Sequence, residues 1–171
     1  MDWLVEPAQP SDFVAIHGVV ASAFGQEAEA QLVERLRTGA AWLPGLALVA
    51  RSSAQPQGPV AGFAALIRLT VGGRAALALA PVAVAPEWQG QGAGSALVRE
   101  GIARAVGRGE RLVLVLGDPR YYGRFGFVPA IQMGISGPYD HAGLAFQALV
   151  LPGGEPAPAG LAVYPDAFAG L

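Results

Sequence analysis

The chain has 171 residues, of which 53% are hydrophobic and 14% charged, with a formal net charge of −2. That length suits one domain, residues 1–171, with a substantial core. The apolar content excludes disorder along the whole chain, the charge balance excludes the basic surface of a nucleic-acid binder, and the lack of cysteine excludes disulfides and thiolate metal sites. The N-terminus, Met1 to Pro7, has neither a basic region nor a long apolar run, so no secretory signal is read. No segment offers ~20 uninterrupted apolar residues, so no membrane span is expected and a cytoplasmic location is. His17 and His141 are the only histidines, without acidic neighbours at ligand spacing, so no metal is expected. All basic residues are Arg, a bias that GC-rich coding explains, and without Lys the chain cannot build a P-loop.

In chain order, Trp3 to Pro7 reads as a strand, and Pro10-Ser11-Asp12 opens a helix with Ser11 as candidate N-cap. Phe13, Ile16, Val20 and Phe24 recur at helical spacing up to Gly25, and a second helix is predicted from Glu27 to Arg37. Leu46 to Arg51, Val60 to Val71 and Ala75 to Val84 read as an antiparallel meander, its last turn the Gly72-Gly73 hairpin. Gly94 to Gly107 reads as a helix. Arg111 to Leu116 is a near-continuous apolar strand, buried on both faces and expected to run parallel to the meander strand before it. Pro119 to Phe125 is a short helix, and Ala145 to Leu151 and Leu161 to Tyr164 are the last strands.

The loop Gln89-Gly90-Gln91-Gly92-Ala93-Gly94-Ser95 joins a strand to a helix. Taken alone it is either a flexible turn or a cradle in which backbone N–H groups at a helix start receive a phosphate. Its spacing is not that of the dinucleotide fingerprint. Pro81, inside an apolar strand, marks either an edge or a bulge. A bulge would free the main chain of Val82 and Val84 to pair with an amide-bearing ligand beside the phosphate cradle, which suits coenzyme A.

Val82 to Gly94 resembles motif A of the GNAT acetyltransferases, whose Gln/Arg-x-x-Gly-x-Gly/Ala core is matched by Gln89, Gly92 and Gly94. Tyr122 to Phe127 resembles the family's Tyr-x-x-x-Gly-Phe segment, and the long C-terminal part, with Pro129-Ala130 and Tyr164-Pro165-Asp166-Ala167-Phe168, is similar to a subgroup of small bacterial N-acetyltransferases. The resemblance implies a mixed α/β fold with a central, mostly antiparallel sheet of about six or seven strands, one splayed parallel pair, and helices on both faces. It also implies acetyl transfer from acetyl-CoA to a primary amine of a small molecule or peptide, by direct attack in a ternary complex, and it allows a homodimer. Val82, Ala83 and Val84 would hold the pantetheine, and Gln89 to Ser95 the pyrophosphate. Tyr122 would act as the acid toward the leaving sulfur, a role that suits a phenol. A strand N–H, that of Val82, would polarise the carbonyl. Tyr121 is assigned to packing, and Arg120 and Arg124 either meet the CoA phosphates or belong to the solvated surface, the default for arginine.

Many members carry a strand carboxylate as general base, and Leu77 to Val84 has none. Candidates elsewhere are Glu27, Glu29 and Glu34, which otherwise form a solvated helix face, and Asp118, which otherwise caps the next helix. The missing carboxylate keeps open a non-catalytic acyl-CoA-binding or regulatory module. A domain binding another nucleotide is a third reading. Trp42-Leu43-Pro44 and Phe24 are expected to wall the acceptor pocket, and the few acids in the first 70 residues disfavour a polycation.

Overall fold

A computed structural model describes residues 1–171. Nine strands form a mostly antiparallel sheet in the order β1-β2-β3-β4-β5-β8-β6, with β9 also paired to β3 and β7 paired to β9. The strands are β1 (Trp3–Pro7), β2 (Ala47–Ser52), β3 (Gly62–Val71), β4 (Arg74–Val84), β5 (Leu112–Leu116), β6 (Val128–Pro129), β7 (Ile135–Ser136), β8 (Phe146–Val150) and β9 (Gly160–Val163). The helices are α1 (Phe13–Phe24), α2 (Ala28–Arg37), α3 (Ala93–Gly107) and α4 (Pro119–Tyr122). The meander is β2-β3-β4, and β4 runs parallel to β5 as expected. The sequence reading misses β6 and β7, two-residue strands too short to show any periodicity.

Side chains along each strand alternate between two cores. Leu112 and Leu114 of β5 face a core shared with Ile16 and Val20 of α1 and Leu32 and Leu36 of α2. Val113 and Val115 face the opposite core, with Leu97 and Val98 of α3. That two-sided burial is why β5 reads as an unbroken apolar run. The fit of α3 is close: a Cβ at Gly101 would come within 2.8 Å of Leu66 Cδ1.

One local expectation fails. Ser11 does not cap α1. Pro10–Asp12 form a 3-10 turn, and Asp12 accepts the Gln9 N–H at 2.8 Å. Asp12 is buried, so its charge needs a partner, and Arg51 donates to it at 2.6 Å. An aspartate with two donors outcompetes a serine hydroxyl for the helix entry.

Candidate functional site

The site begins at an irregularity in β4. The β3–β4 register pairs Ala64 with Val82 but Leu66 with Leu79, so Ala80 and Pro81 both stand opposite Ala65. This is the bulge that proline in the strand announces. On the other side of β4, the parallel ladder to β5 stops at the Leu79–Val115 pair. Beyond that point the strands part.

The parity of the ladder decides which main-chain groups face the gap. The Ala85 N–H donates to the Ala61 carbonyl at 2.9 Å. Bonded and non-bonded pairs alternate in an antiparallel ladder. Ala83 is therefore satisfied by Phe63, while the N–H and C=O groups of Val82 and Val84 point away from β3 into the gap. The Val84 carbonyl is already taken there by the Gln89 side chain at 2.9 Å. Gln89 thus ties the strand end to the loop that follows.

That loop leads into α3. Gly90 and Gly92 adopt left-handed φ values of 76° and 92°, which glycine takes at little cost. The first helical bond is Ala96 N–H to Gly92 C=O, so the amides of Ala93, Gly94 and Ser95 lie ahead of the ladder at the positive end of the helix dipole. Trp3 braces the loop, donating from Nε1 to the Gln91 carbonyl at 2.9 Å and meeting Trp88 edge-on at 5.8 Å. Gln91 spends its own side chain on the Glu87 carbonyl. A cavity of about 330 Å³ opens over the glycines, with Tyr121, Ser95 and Arg124 on its wall. Arg124 donates to Ser95 Oγ at 3.1 Å and lies over the Tyr121 ring at 4.6 Å. The sequence reading assigns Tyr121 to packing and leaves Arg124 open between phosphate contact and the solvated surface. Their places depend on how α4 docks beside α3, which no spacing in the sequence reports.

The second cavity, about 480 Å³, fills the gap itself. Leu79 to Val82, Leu114 to Gly117 and Tyr122 form one end. Tyr122 packs against Gly117, where a Cβ would collide with its ring. It also meets Tyr121 at 4.9 Å and Phe127 at 5.8 Å. Burial, with a smaller contribution from Tyr121, pushes its phenol up to about 12, so Tyr122 carries its proton throughout the physiological range. The adjacent tyrosines of α4 are therefore divided, Tyr121 to the glycine loop and Tyr122 to the gap.

Helix α2 and the C-terminal segments form the other end of this cavity, with Glu29, Tyr139, His141, Tyr164 and Phe168 on its walls. Of the acids weighed as bases, only Glu29 lines it. Glu27 pairs with His17 Nε2 at 2.7 Å on the outer surface, and Glu34 stands 3.9 Å from His17 Nδ1. Asp118 caps α4, accepting the Arg120 N–H at 2.9 Å. Arg120 is exposed and reaches only Asp118. Phe24 lines the cavity as expected. Trp42 instead packs against Phe13 at 5.9 Å. His141 has no sequence signal of its own, since it sits in an irregular segment with no motif around it.

A family model described as an acetyltransferase (GNAT) domain matches residues 44–129. The chain is 38% identical over 130 residues to an uncharacterized N-acetyltransferase of Escherichia coli K12, YjhQ, covering 75% of this chain and 72% of that protein. A crystal structure of the GNAT family N-acetyltransferase YhbS from E. coli, in complex with CoA, superposes with a TM-score of 0.88 at 31% identity, covering 97% of this chain and 91% of that one. A GNAT family acetyltransferase from Brucella melitensis, in complex with acetyl-CoA, superposes with a TM-score of 0.78 at 32% identity and covers 98% of each chain.

Proposed function

The chain belongs to the GNAT acetyltransferase family, and we propose that it transfers an acetyl group from acetyl-CoA to a primary amine by direct attack in a ternary complex. The observation that carries this reading is the parting of β4 and β5 beyond Leu79 and Val115, with the phosphate cradle at one end and Tyr122 at the other. Both cores pack on the same sheet, and we take residues 1–171 as one domain. No helix is long and apolar enough to cross a membrane.

The residues present fit coenzyme A. The amides of Ala93, Gly94 and Ser95 and the guanidinium of Arg124 are donors suited to a pyrophosphate. The outward main-chain groups of Val82 and the N–H of Val84 suit an amide-bearing arm. The Val84 carbonyl must be shared with, or released by, Gln89. Acetyl-CoA, when bound, supplies the thioester carbonyl that an amine attacks.

The protein's own groups then have distinct tasks. The Val82 N–H lies in the gap, where a donor polarises a carbonyl as negative charge develops. Tyr122 supports the leaving sulfur. With its phenol near 12 and a cysteine-like thiol ordinarily near 8.5, complete proton transfer would run roughly three to four pH units uphill. Tyr122 therefore acts by donating a hydrogen bond to the thiolate, and the sulfur takes its proton afterwards. The strand carries no base, but the gap does not lack one, because Glu29 and His141 both line it and both accept protons. Their presence favours turnover over a purely binding module.

Calorimetry with acetyl-CoA, CoA and ATP, followed by thiol release with an amine panel, tests the reading. Acetyl-CoA and CoA should bind and thiol release should depend on amine. Binding of ATP without CoA, or CoA binding with no amine-dependent release, overturns it.

A further inference from the structure

The far end of the larger cavity has a consistent chemistry. Fourteen of its eighteen lining residues are hydrophobic, Glu29 contributes the only acidic side chain, and no Arg lines it. Tyr139 and Tyr164 meet edge to face at 5.0 Å, and Tyr164 and Phe168 at 5.2 Å. These three rings form a continuous aromatic wall. Glu29 sits half-buried on α2, and the Gln26 side chain donates to both of its oxygens, at 2.9 and 3.0 Å. These two bonds orient its carboxylate.

A single carboxylate beside apolar and aromatic walls selects for a single positive charge. A second ammonium would have to be desolvated there without a partner. Aromatic faces favour a ring edge or a cation above them. At about 480 Å³ the cavity falls within the ~300–1,000 Å³ range of small-molecule sites.

We propose that the acceptor is a small arylalkyl monoamine, its ammonium at Glu29 and its ring against Tyr139, Tyr164 and Phe168. This rests on the acetyl-transfer reading and narrows it. The reaction balances as an ammonium and a thioester giving an N-substituted acetamide, a thiol and one proton. The N–C bond forms as the C–S bond breaks. One nitrogen-bound proton ends on sulfur, and the other leaves through Glu29 or His141 to solvent.

The test compares 2-phenylethylamine with ethylamine, spermidine and a lysine-containing peptide in thiol release. Calorimetry of 2-phenylethylamine with the CoA-loaded protein runs alongside. The expected result is a kcat/KM for 2-phenylethylamine about 10-fold or more above the others, since an aromatic body adds both buried area and ring contacts. Glu29→Gln should raise the KM for 2-phenylethylamine about 10-fold, the scale of losing one charge-assisted hydrogen bond, with acetyl-CoA affinity unchanged. Phe168→Leu keeps apolar volume in the wall and should lower the 2-phenylethylamine-to-ethylamine ratio by about 3- to 10-fold. The proposal is overturned if spermidine or the peptide is the best acceptor, if 2-phenylethylamine fails to bind the CoA-loaded protein, or if the ratio is the same in Phe168→Leu. Each of these leaves acetyl-CoA binding intact. Loss of acetyl-CoA binding by the unaltered protein would instead overturn the transfer reading itself.

Discussion

At the α3 end of the proposed site, the groups offered to a ligand are backbone amides, and at the α2 end they are side chains. The glycine loop offers amides whose positions follow from a helix start and two left-handed glycines, all within residues 89–95. The proposed acceptor end is assembled from Glu29, Tyr139, His141, Tyr164 and Phe168, which are scattered over 140 positions of the sequence. A backbone site serves a cofactor common to many proteins, because main-chain geometry is insensitive to most substitutions. A side-chain site is where one chain can be made specific.

The division can be broken most severely at the loop. Gly92→Val places a β-branched residue at φ 92°. Backbone strain of about 1–3 kcal/mol and a blocked approach to the amides should weaken CoA binding about 100-fold or more, measured by calorimetry with circular dichroism confirming the fold. Unchanged affinity would remove the loop from the cofactor site. Next in size is Tyr122→Phe, which should slow thiol release by roughly 10- to 1,000-fold while CoA affinity stays the same. Equal rates would assign Tyr122 to packing.

Tyr122 also leaves a trace in stability. Its folded value lies near 12 against an ordinary 10, so the folded state disfavours the phenolate. The stabilisation relative to the unfolded chain is complete below about pH 10 and is lost as pH rises through 12. The melting temperature should therefore fall more steeply over that window in the unaltered protein than in Tyr122→Phe. Parallel curves would mean that the phenol is well solvated.

Arg124→Ala sharpens the comparison on the cofactor side. It should weaken CoA binding about 10-fold, as expected for one charge-assisted contact, and the deficit should shrink at high salt. The smallest effect belongs to Asp118→Asn. An asparagine still caps α4, so stability and turnover should both stay within about 3-fold of the unaltered protein, whereas a base would lose ~100-fold or more.

Different parts of the site were legible to different degrees. Pro81 announces the bulge, and the Gly90-Gln91-Gly92 run announces the left-handed turn into α3, because each works through local backbone geometry that its own residues impose. The side-chain roles were less legible. Gln89 stood in the motif, yet its amide goes to Val84 within the strand end. Tyr121 read as packing, yet it lies over the loop, with Ser95 Oγ at 3.5 Å from its hydroxyl. One residue separates it from Tyr122, and on a helical turn that step of ~100° is enough to send adjacent rings into different cavities.

The sequence by itself determined the order of the longer elements, the parallel β4–β5 pair and the glycine-rich loop that opens α3, since periodicity, proline and glycine act over a few neighbouring residues. The tertiary structure alone decided which acid reaches the gap. Glu27, Glu29 and Glu34 are alike in composition and lie on one short stretch, but only Glu29 lines the cavity facing Tyr139 and Tyr164. That selection depends on how α2 and the C-terminal segments pack across the sheet, and long-range packing leaves no local pattern to read.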